Sequence, residues 1–279
     1  MKIIYKLLFL FLLTIGYSSC DFLDIVPDEI TTEADAFKDR NVAKNFVYSC
    51  YGYLPQSNVA SGSLDLLTGD EVITAFEHET FASFPKGNYT ASSPVISYWN
   101  TFFQGLRQCY IFLENVDKVP DLTESVKTDY IAQVKFLIAY YHYQLARCYG
   151  PIILIKELPD VNASQAEYLP RTSYDECVDW ICNLLDEAAS SLPAIRTNKE
   201  DYGLATSVGA KAVKAKMLLY AASPLFNGNS SFYSNFTDKS GSQLMPLTYD
   251  PNKWVKAKTA IKEAIDLAEQ NGHALYVKQ

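Results

Sequence analysis

The residue types that carry chemistry are sparse in this chain, and their spacing excludes more than it suggests. Only three histidines occur among 279 residues, His78, His142 and His273. They are too few and too scattered for a zinc site of any expected ligand spacing. No G-x-S-x-G, no phosphate-cradling G-x-x-x-x-G-K and no dinucleotide fingerprint is present. Acidic pairs stand close together at Asp70 with Glu71 and at Glu77 with Glu79. A glycosidase needs two carboxyl groups across a cleft, whereas neighbouring acids in an acidic chain are ordinarily solvated. What stands out instead is the aromatic content: 20 Tyr, 15 Phe and 3 Trp, 14% of the residues. Most of these rings must be core, and those in loops have the shape of stacking platforms for a ligand.

These residues are positioned by helices. The stretch from Ile131 to Leu154 is the centre of the pattern: Val134, Ile138, Tyr141, Leu145 and Cys148 recur at helical spacing, and Phe136, Tyr140 and Tyr143 line a second face. Ala132, Ala139 and Ala146 form a strip narrow enough for a neighbouring backbone to approach. Gly150 and Pro151 stop this helix, placing its end at Tyr149. Before it, the spacing predicts helices over 34–53 and 94–119, the second carrying Trp99 in an inward stripe. After it, helices are expected over 173–192, 207–226 and 251–270. The last is expected to turn Trp254, Ala257, Ile261, Ala264, Ile265 and Ala268 inward. Two long loops interrupt the series, 56–93 and 227–249. The first is rich in glycine, proline and aromatic residues, and a loop of that length in a compact domain is usually functional or disordered. Its rings argue against disorder. No segment of strand period appears, so the fold class is all-α, built of stacked, tetratricopeptide-like helix pairs with long irregular loops.

The N-terminus reads as an address. Lys2 and Lys6 precede an apolar run from Leu7 to Ile15, too short to span a bilayer stably, and Ser18-Ser19-Cys20 follows. This is the pattern of a bacterial lipoprotein signal, with residues 1–19 removed and Cys20 acylated. An ordinary cleaved leader is the competing reading, since Tyr17 replaces the usual aliphatic residue. Residues 20–30 then read as a tether, and 31–279 as the helical domain. The formal net charge is −8, and the leader contributes two of the lysines. A chain this acidic has no means of neutralising phosphates in quantity, which excludes nucleic acid as a partner. The remaining cysteines, Cys50, Cys109, Cys148, Cys177 and Cys182, fall on apolar helix faces and are read as small core residues.

Several stretches together resemble one family. In chain order, YWNTFFQGLRQCYIFLENV, KFLIAYYHYQLARCYGPIIL, RTSYDECVDWICNLLDEAASSLP and GLATSVGAKAVKAKMLLYAASPLFNGN resemble the core helices of the SusD/RagB-like outer-membrane nutrient-binding lipoproteins. The resemblance implies a helical scaffold, anchored through acylated Cys20 in the outer membrane and facing outward. It implies binding of an oligosaccharide or polysaccharide and hand-over to a SusC-like TonB-dependent porin. It implies neither cofactor nor catalysis. It also implies a chain about twice this length, of which the present sequence reads as the N-terminal part.

Under this reading the candidate ligand-binding residues are Phe81, Phe84 and Tyr89, whose ring faces suit the C–H faces of a sugar, with Asp70, Glu71 and Asn88 as hydrogen-bonding partners. Trp99 is assigned to the core. Two other classes compete: a helical-repeat adaptor whose only ligand is another protein, and a glycosidase built on the acidic pairs.

Overall fold

A computed structural model describes residues 37–55, 69, 75–76, 80–95, 97–160, 162 and 169–276. The expected leader, Cys20, the tether, Asp70, Glu71 and the side chain of Phe81 lie outside the described residues. Residues 37–279 form one compact unit.

Seven α-helices are described: α1 (Arg40–Tyr51), α2 (Trp99–Asn115), α3 (Glu124–Tyr149), α4 (Tyr174–Ser191), α5 (Ser207–Ala222), the single turn α6 (Ser230–Tyr233) and α7 (Asn252–Gln270). Among the described residues there is no strand, and only the isolated bridges Thr90 to Ser93 and Thr237 to Gln243 occur. The long helices pack on their neighbours in chain order, α2 on α3, α3 on α4, α4 on α5 and α5 on α7. This is the stacking of helical pairs expected of a helical-repeat scaffold.

Helix α3 is the axis. From Ala132 to Ala146 it buries twelve of its residues, including Tyr141, Leu145 and the strip Ala132, Ala139 and Ala146. Gly150 terminates it at φ 71, donating its N–H to Ala146 O, a conformation that glycine adopts without a Cβ penalty. Gly105 on α2 serves close packing instead. A Cβ there would stand 3.0 Å from the rings or side chains of Tyr141 and Tyr53.

Several expectations need correction. Helix α1 starts at Arg40 because Asp39 caps it, its carboxylate accepting from Asn41 N at 2.8 Å and Val42 N at 3.0 Å. Helix α2 starts at Trp99 rather than Pro94. The preceding residues are held in a turn, Thr90 and Ser93 exchanging backbone hydrogen bonds of 3.1 and 3.2 Å. Cys148, in the last turn of α3, is exposed, while Cys50, Cys109, Cys177 and Cys182 are buried. On α7 the buried strip is Ala257, Ala260 and Ala264, while Trp254 and Ile265 remain 41% and 50% exposed. The alanines draw α7 against Ala215 of α5, and the larger residues flank that contact. The 227–249 loop is pinned at its base. Buried Asn227 donates to Asp250 O and accepts from Asp250 N, each at 2.9 Å, and it contains the turn α6.

Candidate functional site

The aromatic loop between α1 and α2 emerges from a 3-10 turn, Thr80–Ser83. Asn88 N donates to Ser83 O at 3.0 Å and Gly87 N to Phe84 O at 2.9 Å, which doubles the chain back. Gly87 takes φ 63 to allow this. The reversal brings two of the expected residues together: the rings of Phe84 and Tyr89 meet at 5.3 Å and 57°. Phe84 is half-buried, Tyr89 is 50% exposed, and Asn88 beside it is exposed. Phe84 thus props the outward-facing ring of Tyr89. A hydroxylated ligand laid on Tyr89 has the Asn88 amide next to it in the chain, able to donate and accept.

The loop leads directly into a second aromatic cluster, at the foot of α2. Tyr98 N, one of the amides a helix start leaves without an intrahelical partner, donates to Tyr149 Oη at 3.0 Å. Trp99 is half-buried rather than core. Its ring lies 4.9 Å from Phe103 and edge-on to Tyr149 at 5.2 Å, with the Arg171 guanidinium 5.6 Å from its centroid. Arg171 also donates to Tyr149 O at 3.3 Å and Pro151 O at 2.9 Å. The guanidinium therefore ties the end of α3, the residue leading into α4 and the start of α2 into one cluster. The sequence reading missed this arrangement. Its signal was the arginine that opens RTSYDE, whose backbone partners lie 22 and 20 residues upstream and whose ring partner Trp99 lies far earlier in the chain.

The interior polar groups are structural. His142 is wholly buried. Its Nε2 accepts from Ile155 N at 3.1 Å, and because an amide can only donate, the proton sits on Nδ1, which donates to Ile138 O at 2.8 Å. Burial lowers its pKa to about 4, so it is a neutral bridge between α3 and the apolar segment that follows it. Burial pushes the Cys177 and Cys182 thiols up to about 11 and about 12, leaving them protonated at neutral pH. Among the described residues, no group of three or more His, Cys, Asp or Glu is placed to hold a metal ion. No described helix is long and apolar enough to cross a membrane.

Stacked helix pairs carrying a surface loop of propped aromatic rings define a helical-repeat scaffold with an exposed aromatic patch. Residues 21–219 match the sequence profile of the SusD-like proteins, described as starch-binding and associating with the outer membrane, and the chain belongs to that family. Among curated proteins it is 23% identical over 230 residues to SusD-like protein P25 of Formosa agariphila, across 78% of this chain and 43% of that one. Among solved structures it is similar to BT4246, at 36% identity and a TM-score of 0.79, over 86% of this chain and 42% of that chain. It also shares its fold with a SusD-like protein from Bacteroides fragilis NCTC 9343, at 22% identity and a TM-score of 0.59, over 89% of this chain and 41% of that one. The chain thus spans less than half the length of these relatives.

Proposed function

We propose that this chain belongs to a cell-surface glycan-binding lipoprotein, non-catalytic, that holds an oligosaccharide and passes it to a TonB-dependent outer-membrane transporter of the SusC type. The observation that carries the binding role is the Tyr89 ring, half exposed beside Phe84 on a loop that the Gly87 turn doubles back, in a chain whose family is described as starch-binding. A neighbour of the same fold is named a laminarin-binding SusD-like protein, which supports the ligand class. In this reading residues 1–19 are a cleaved leader, Cys20 carries lipid, residues 20–30 are the tether, and the scaffold stands outside the cell. Affinity electrophoresis through gels containing starch, laminarin, mannan or xylan tests the binding. The chain is retarded by at least one polymer, and Tyr89→Ala loses most of the retardation. Equal mobility of wild type and Tyr89→Ala in every retarding gel removes the loop from the site.

A second reading, a protein-binding adaptor, draws on the apolar residues of α7 that face solvent, Trp254, Val255 and Ile265. Co-purification with the transporter in sugar-free medium, together with unretarded migration in all four gels, favours the adaptor.

A further inference from the structure

A surface depression lies away from the aromatic loop, where the start of α3 meets α1, the end of α4 and the connection from α4 to α5. It is an open cleft of about 790 Å³, within the range of small-ligand sites.

Its floor is a closed circuit of hydrogen bonds. Arg196 grips both oxygens of Asp129 at 2.9 Å and donates to Ala205 O at 3.1 and 2.7 Å. Asp129 Oδ2 accepts from Gln133 Nε2 at 2.8 Å, and Gln133 Oε1 accepts from Tyr51 Oη at 3.0 Å. Tyr51 Oη in turn accepts from Ala205 N at 2.9 Å. The circuit joins α1, α3 and the α4–α5 connection, so the floor is rigid before any ligand arrives.

The walls differ from the floor. Tyr48, 38% exposed, and half-buried Tyr130 present rings from α1 and α3, with Lys44 Nζ 5.4 Å from the Tyr48 centroid. Asp201 and Ser190 supply polar groups at the edge. Charge decides the ligand. Two cations, Lys44 and Arg196, face three carboxylates, Glu124, Asp129 and Asp201. The guanidinium, the group best shaped to bind an anion, is already occupied by Asp129. An anionic ligand meets only the Lys44 ammonium, against the carboxylates of Glu124 and Asp201. An uncharged, polyhydroxylated ligand with apolar C–H faces has two aromatic rings to lie on and hydroxyl, amine and carboxylate groups to bond.

We propose that this cleft is a second saccharide subsite, selective for neutral oligosaccharides, with Tyr48 as its stacking ring. The proposal rests on the glycan-binding reading above and extends it to a separate site.

Titration calorimetry of the chain with maltotriose, laminaritriose, cellotriose and mannotriose, with trigalacturonic acid as the acidic probe, tests it. Phe84→Ala/Tyr89→Ala removes the loop contribution, and Tyr48→Ala is made on both backgrounds. The expected result is that one neutral triose binds the loop double variant, that Tyr48→Ala weakens this binding at least tenfold, that Tyr48→Phe restores it, and that trigalacturonic acid gives no heat. Tyr48 is exposed, and unchanged thermal unfolding of Tyr48→Ala excludes misfolding. Binding lost in the loop double variant and unaffected by Tyr48→Ala overturns the cleft while leaving the glycan-binding reading intact. Absence of binding by the wild-type chain to every triose overturns the cleft, and absence of polymer retardation as well overturns both.

Discussion

Lowering the pH from 7.5 to 5.0 should destabilise this domain through one buried residue. His142 is neutral in the fold because it is fully enclosed and its two nitrogens bridge Ile138 O and Ile155 N. Protonation would make Nε2 a donor facing the Ile155 N–H and place a charge in the core. In the unfolded chain the ring takes up a proton as pH falls through its ordinary value of 6.5, whereas in the fold it resists until about 4. The unfolded state therefore binds more protons throughout that window. Its stabilising effect is fully present above pH 6.5 and is lost as pH falls towards 4. The linkage relation gives a loss of about 2 kcal/mol at pH 5 and about 3 kcal/mol below pH 4. Carboxylates titrate over part of the same range, so the control is His142→Gln, which keeps a neutral side chain at every pH and shares all other groups. Urea unfolding at pH 7.5, 6.5, 5.5 and 5.0, followed by fluorescence of Trp180, whose ring lies 4.8 Å from that of His142, reads the effect. Wild type should lose about 2 kcal/mol more than the variant between the extremes, about 1 M in midpoint at a slope of about 2 kcal/mol/M. Parallel profiles would refute the reasoning, because a histidine that titrates alike in both states contributes no pH dependence.

Gly228→Ala should destabilise by about 2 kcal/mol or more, since φ is 80 and a Cβ would lie 2.3 Å from Tyr249 N, a backbone atom that cannot swing aside; thermal unfolding checks this. Asn227→Ala leaves the paired backbone groups of Asp250 without their partner and should cost about 1–3 kcal/mol, seen as early proteolysis within 227–250. Arg196→Leu breaks the grip on Asp129 and should cost about 2–3 kcal/mol in urea unfolding, with Arg196→Lys recovering only part because an ammonium cannot form the bidentate pair. Cys20→Ser should abolish incorporation of labelled palmitate in the native host and release the protein from the membrane fraction; continued labelling of the variant would exclude Cys20 as the acylation site.

What the chain declares by itself is local. Gly150-Pro151, Pro193 and Ser223-Pro224 end helices because positive φ, a missing amide or ring sterics act on a single residue whatever surrounds it. The observed ends at Tyr149 and Ser191 follow these signals, whereas α5 stops at Ala222, four residues short of the expected 226, because Ser223 before Pro224 is already extended. The all-α class, the inward face of α3 and the aromatic character of the first loop are legible for the same reason, since helical periodicity is a property of neighbours in sequence. What only the tertiary structure decided is which of several apolar faces meets a partner and which distant polar groups meet each other. Trp254, Ile265 and Cys148 satisfy the helical pattern and are still exposed, because a packing helix buries only the strip that touches its neighbour. Trp99 belongs to a stripe by spacing, yet Tyr149 and Arg171 hold it at a half-buried rim. The Arg196–Asp129 pair, 67 residues apart, and the closed circuit beneath the cleft leave no trace in sequence spacing. Hydrogen bonds of that kind depend on the three-dimensional approach of α1, α3 and the α4–α5 connection, which is set by core packing rather than by the polar residues themselves.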